Sequence, residues 1–130
     1  MKIAILCVCF LALIQTFLGL AVSFCRRRYK LSAGCPDDPA HPMFRIRTAF
    51  SNCAEWHPMF MALMLLNGMY VGQAWTIWLY PAVIAARCFL VAGLVTAPMN
   101  RPNAFRLIGA TLTFLLALIL VGLLLSNFFS

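Results

Sequence analysis

Long runs without charge are the feature that any fold of this chain must accommodate first. Between Ile3 and about Cys25 there is no ionisable group other than cysteine, and the same holds from Leu107 to about Phe128. Two further apolar stretches lie between them, at about 54–70 and 74–97. A membrane helix needs roughly 20 apolar residues at about 1.5 Å of rise each. The runs are continuous rather than alternating ten-residue segments, so helices are indicated and not a barrel. Composition supports this reading: 64% of the residues are hydrophobic and 10% charged. A soluble domain sits near half apolar and a quarter charged, and a small one keeps too much surface to hide such an excess. Lipid is therefore part of the solvent. The sequence predicts an all-α, polytopic membrane protein, a four-transmembrane-helix bundle forming one domain over residues 1–130.

The first run begins after Lys2 and could pass for a secretory leader. It is longer than a leader's apolar region, and a basic cluster follows it in place of a clear cleavage site. It reads as a first membrane helix. A polar helical stretch from about Phe44 leads into the second span.

The loops fix an orientation. Loop one, Arg26–Phe44, and loop three, about Pro98–Arg106 with Asn100, Pro102 and Asn103, share one side; the short loop two, about Val71–Gln73, lies on the other. Counting the approaches to the spans, the first side carries Arg26, Arg27, Arg28, Lys30, Arg45, Arg47, Arg101 and Arg106, and the other carries Lys2. By the positive-inside rule, loops one and three face the cytosol and both termini lie opposite.

The net charge of +7 does not indicate nucleic acid as a partner, because Lys and Arg crowd between apolar runs instead of covering a solvated face. They suit topology and anionic membrane lipids. Cys7, Cys9, Cys25, Cys53 and Cys88 fall in or beside apolar spans, Cys35 sits in loop one, and no CxxC pair occurs, so the cysteines read as small buried apolar side chains. His57 has no second ligand at i±4 and reads as a packed side chain. No metal is expected. His41, in a Pro-flanked loop, carries no readable role, and Gly109, Ala110 and Ala117 suit close helix packing.

Ionisable groups at membrane depth are costly unless paired or hydrated, which makes them functional candidates. Glu55, one of three acidic residues in the chain, begins the second span, and Arg87 lies inside the third. Either they form an interhelical ion pair that fixes packing, or they belong to a ligand site. Arg45, Thr48, Asn52 and Glu55 are spaced i, i+3, i+7, i+10 and share one helix face, whereas Arg47 points elsewhere. This stripe favours the ligand site, suited to a small zwitterionic or polyanionic molecule. Pro58 removes a backbone hydrogen bond and predicts a kink just past it. Arg87, Leu90, Leu94 and Arg101 share a similar spacing, provided the helix continues past Pro98.

The segment Arg45-Ile-Arg-Thr-Ala-Phe-Ser-Asn-Cys-Ala-Glu-Trp-His-Pro-Met-Phe60 resembles the signature of the MAPEG family, membrane-associated proteins of eicosanoid and glutathione metabolism. Asn52-Cys53, Glu55, Pro58 and Phe60 are similar to the branch containing leukotriene C4 synthase, microsomal glutathione transferases 2 and 3, and 5-lipoxygenase-activating protein. Cys25-Arg-Arg-Arg-Tyr-Lys-Leu-Ser32 resembles the basic end of that branch's first helix. Ala86-Arg87, Gly93 and Arg101 resemble its third helix and the loop that follows.

The resemblance implies a homotrimer with glutathione as co-substrate bound between protomers near the cytosolic face; the cytosol-facing loops fit the endoplasmic reticulum membrane in a eukaryote. It implies glutathione contacts at Arg26 from a neighbouring subunit, at Asn52, Glu55 and Arg87, and in the adjoining positions Thr48 and Trp56. Arg101 is the implied catalytic residue, stabilising the thiolate. The implied activity is that of a membrane-bound glutathione transferase conjugating glutathione to a lipophilic electrophile from the bilayer, or of a glutathione-dependent lipid peroxidase. Departures favour an alternative, a non-catalytic fatty-acid-binding protein resembling 5-lipoxygenase-activating protein. Thr48 replaces the arginine usual in the transferases, Phe50 replaces a polar residue, and Trp56, Leu90 and Leu94 replace tyrosines. Arg45, one turn from Thr48, is positioned to substitute for the missing arginine.

Overall fold

In the computed structural model, which describes residues 1–71, 74–98, 100–101 and 103–129, the chain forms four helices: α1 (Lys2–Arg28), α2 (Pro42–Tyr70), α3 (Leu79–Thr96) and α4 (Ala104–Phe129). A 3₁₀ segment, Ala74–Trp78, leads into α3. Gly72 and Gln73 of the expected second loop and Pro102 of the third lie outside the described residues.

Local chemistry sets most of the helix ends. The basic cluster Arg26–Arg28 is the last turn of α1 and not part of a loop, and cations there complement the negative end of the helix dipole. At the start of α2, His41 Nδ1 accepts from the Met43 amide at 3.1 Å, with Pro42 in the first helical turn. His41 thus has the role its sequence context did not show. The polar stretch and the second span form one unbroken helix, which passes through Pro58. Helix α3 stops at Thr96, two residues before Pro98, as expected where the residue before proline resists helical geometry. Asn103 then serves both neighbours: its Oδ1 accepts from the Phe105 amide at 3.0 Å, and its Nδ2 donates to the Gly93 carbonyl at 3.2 Å.

The helices pack most extensively as the pairs α1–α2 and α3–α4. The second pair depends on two glycines. A Cβ on Gly109 would lie 2.5 Å from the Leu90 amide nitrogen, and one on Gly93 would lie 2.6 Å from that of Arg106. Gly109 therefore has the close-packing role expected of it.

Two apolar clusters fill the bundle. One joins Ala4, Leu11, Phe60, Met64, Val83 and Leu120 among others; the second joins Leu18, Ala49, Cys53, Leu90 and Leu94. Within the first half, Asn67 Nδ2 ties α2 to α4 by donating to the carbonyls of Leu63 at 2.8 Å and Leu120 at 3.1 Å. Arg45 on α2 donates to the Thr96 carbonyl at 3.2 Å, which ties the start of α2 to the end of α3.

Among the described residues, three segments are long and apolar enough to cross a membrane: Lys2–Arg28, Ala74–Thr96 and Ala104–Phe129. Helix α2 has the length, but Glu55, His57 and Asn67 interrupt its apolar character. The cysteines also divide differently from expectation: Cys7 and Cys53 are buried, Cys25 and Cys35 half-buried, and Cys9 and Cys88 exposed on the protomer.

Candidate functional site

Helix α2 has two polar sides at the basic end. The inner side meets Arg87, which projects from α3 into the bundle and is fully buried. A charge in such a place needs acceptors, and Arg87 finds them on two helices. Its Nη2 donates to Asn52 Oδ1 at 2.7 Å and to the Asn52 carbonyl at 3.3 Å, and it contacts Cys53 Sγ at 3.5 Å. Its Nη1 donates to Thr113 Oγ1 on α4 at 3.4 Å, and that hydroxyl donates to the Gly109 carbonyl at 2.7 Å. One turn beyond Cys53, the buried His57 places Nδ1 3.1 Å from the Leu11 carbonyl of α1, the packed role expected for it. His57 Nε2 and Arg87 Nε are buried without a partner.

Thr113 was not singled out in the sequence, because a threonine in an apolar helix ordinarily bonds its own preceding turn. A signal was present: Thr113 lies four residues after Gly109 and four before Ala117, on the stripe of small residues that packs against neighbours.

The outer side carries Thr48, Asn52 and Glu55. Glu55 is exposed, and among the described residues it makes no ion pair with Arg87. The packing-pair reading of these two residues therefore does not describe the protomer. Thr48 donates its hydroxyl to the Phe44 carbonyl at 2.8 Å, which leaves the oxygen as an acceptor for any other partner. A small cavity of about 250 Å³ is lined by Cys35, Phe44, Arg47, Thr48 and Ser51, so Arg47 shares a surface with Thr48 and does not point wholly away. Arg45 is half-buried, with one guanidinium nitrogen committed to the end of α3. Trp56 is turned toward α4, meeting the Phe114 ring edge-on at 4.9 Å between centroids.

Arg26 is half-buried on the last turn of α1, and its Nε is buried without a partner. Arg101 is exposed on the loop after α3; because that helix ends at Thr96, Arg101 does not continue the face of Arg87. The nine helical steps from Arg87 to Thr96 set Arg87 roughly 14 Å along the axis from that end. Leu90 and Leu94 do continue the face and are buried in the second apolar cluster. Phe50 packs near Gly19 of α1. Between α3 and α4 a cleft of about 460 Å³ opens among Leu90, Asn103, Ala104, Arg106, Leu107 and Ala110. Among the described residues, no group of His, Cys, Asp and Glu is placed to hold a metal ion.

The architecture is that of a helical membrane protein with most of its basic residues gathered at one end of the bundle. The chain matches the model of the MAPEG family over residues 4–126. It is 31% identical over 111 residues to microsomal glutathione S-transferase 2 of Bos taurus, an alignment that covers 85% of this chain and 75% of the relative. The protein belongs to the MAPEG family.

Proposed function

We propose that the protein is a membrane glutathione transferase that binds glutathione on the outer side of α2 and conjugates it to a lipophilic electrophile, or uses it to reduce a lipid hydroperoxide. One observation carries this reading. Asn52 is held by Arg87 at the inner edge of a stripe whose outer member, the Glu55 carboxylate, is exposed with no ion-pair partner among the described residues. With α2 taken as a fourth span, such exposed polar groups face the bilayer and call for a polar partner. Glutathione offers two carboxylates for the amide and the cations, and one ammonium for Glu55. The similarity to a protein named as a glutathione transferase points the same way.

In this reading all four helices cross the membrane, with loops one and three on the cytosolic side of the endoplasmic reticulum. Three protomers pack so that Arg26 of one reaches the stripe of the next. Arg45, Thr48 and Trp56 border the ligand. Arg101, exposed on its loop, folds over the bound tripeptide and favours the thiolate. Leaving water raises a thiol pKa, so the cation has to outweigh the desolvation. The thiolate sulfur then bonds to the electrophilic carbon and the leaving group departs. The cleft beside Leu90, Leu107 and Ala110 supplies an apolar approach for the second substrate, with Arg106 at its mouth.

Turnover of glutathione with chlorodinitrobenzene by the purified protein tests this. Saturable conjugation is expected; its absence, with no peroxidase activity either, contradicts it. The alternative, a lipid-presenting protein without catalysis, draws on the Thr48 hydroxyl bonded within its own helix and on the burial of Leu90 and Leu94. It predicts fatty-acid binding without turnover.

A further inference from the structure

Arg87 is fully buried, and the hydrogen bonds its guanidinium donates all end inside the bundle, on Asn52, Cys53 and Thr113. A guanidinium can only donate. The side-chain atom of Asn52 that lies 2.7 Å from Nη2 must therefore be the oxygen, which removes the usual ambiguity of an amide's orientation. The Nδ2 donors of Asn52 then face away from Arg87. They make no hydrogen bond among the described residues, and Nδ2 is not among the buried unpartnered atoms, so it lies at the accessible edge of the outer stripe.

We infer that Arg87 is a positioning residue: it locks the Asn52 amide so that the outer face presents N–H donors to a carboxylate or carbonyl of the ligand. This rests on the reading of that face as the glutathione site. The charge also strengthens the presentation, because a cation on the amide oxygen polarises the N–H bonds on the far side. Thr113 braces the other arm of the guanidinium, which ties the amide's orientation to α4 through the Gly109 carbonyl. The outer face is thereby a donor at Asn52, three residues from an acceptor at Glu55, and the choice between the two signs at Asn52 is made from inside the bundle.

Asn52→Asp separates this role from a structural one. The new carboxylate remains a partner for Arg87, supplying the buried cation with a counter-charge, but it has no N–H to offer outward. The variant is expected to melt no lower than the parent in detergent. Its KM for glutathione is expected to rise about ten- to a hundredfold, the size of a lost charge-assisted hydrogen bond, with kcat at saturation changed far less. Arg87→Lys, which keeps a donor on the amide oxygen, is expected to hold KM closer to the parent than Arg87→Met does. If Arg87→Met does not fold, the Asn52→Asp comparison still decides. An unchanged KM in Asn52→Asp overturns the inference while leaving the glutathione site standing. A parent protein that neither binds nor turns over glutathione overturns the site and the inference together.

Discussion

The two sides of α2 solve the same problem in opposite ways. On the inner side a buried cation, a thiol and an imidazole lie inside the bundle, and most of their bonding atoms find partners within the protomer. On the outer side Glu55 is exposed and has no ion-pair partner among the described residues. Burial alone would have nominated the inner side as the functional one, since a charged residue inside a membrane bundle is the more conspicuous. Its hydrogen bonds argue otherwise. A polar group that is satisfied holds helices together, and one left exposed on a helix proposed to span the membrane waits for a ligand or a neighbouring protomer. Asn52 belongs to both sides, which is why it is the hinge of the functional proposal.

The contrast can be broken by substitution, beginning where the effect should be greatest. Arg87→Ala removes the largest fully buried side chain and orphans Asn52 Oδ1. It is expected to cost about 3–5 kcal/mol, read as thermal unfolding in detergent micelles. A melting temperature like the parent's would mean the inner network is not structural. Gly109→Val places atoms within 2.5 Å of the Leu90 backbone and is expected to cost about 2–3 kcal/mol by forcing α3 and α4 apart. Intact stability there would argue against the close crossing.

His57→Leu stays close to the histidine's volume and loses the contact with the Leu11 carbonyl, so about 1 kcal/mol is expected in the same unfolding assay. The outer side should invert this ranking. Glu55→Gln is expected to change stability by less than about 0.5 kcal/mol, yet to raise the KM for glutathione about tenfold through loss of a charged contact. A destabilised Glu55→Gln protein with unchanged kinetics would erase the distinction between the two sides.

The sequence carried much of this because periodicity and helix punctuation are local. The shared face of Arg87, Leu90 and Leu94 followed from their spacing, and all three are buried. Pro98 marked the break that removes Arg101 from that face. Partners distant in sequence were not legible. Nothing near Arg45 announces a bond to the Thr96 carbonyl 51 residues on, and nothing near Arg87 announces Thr113. The division of α2 into an inner and an outer side was half visible: the stripe was on one face, but which of its members would turn inward depends on where α3 packs. The expectation of an Arg87–Glu55 contact was open for that reason, and the structure gives Arg87 to Asn52.

The central claim, that the outer side of α2 holds glutathione for thiolate chemistry, is tested most directly by ultraviolet difference spectra of the purified protein titrated with glutathione. A saturable thiolate band is predicted, lost in Arg101→Ala and shifted to higher glutathione concentration in Glu55→Gln. A parent protein with no thiolate band at any glutathione concentration, or a band indifferent to both substitutions, would contradict it.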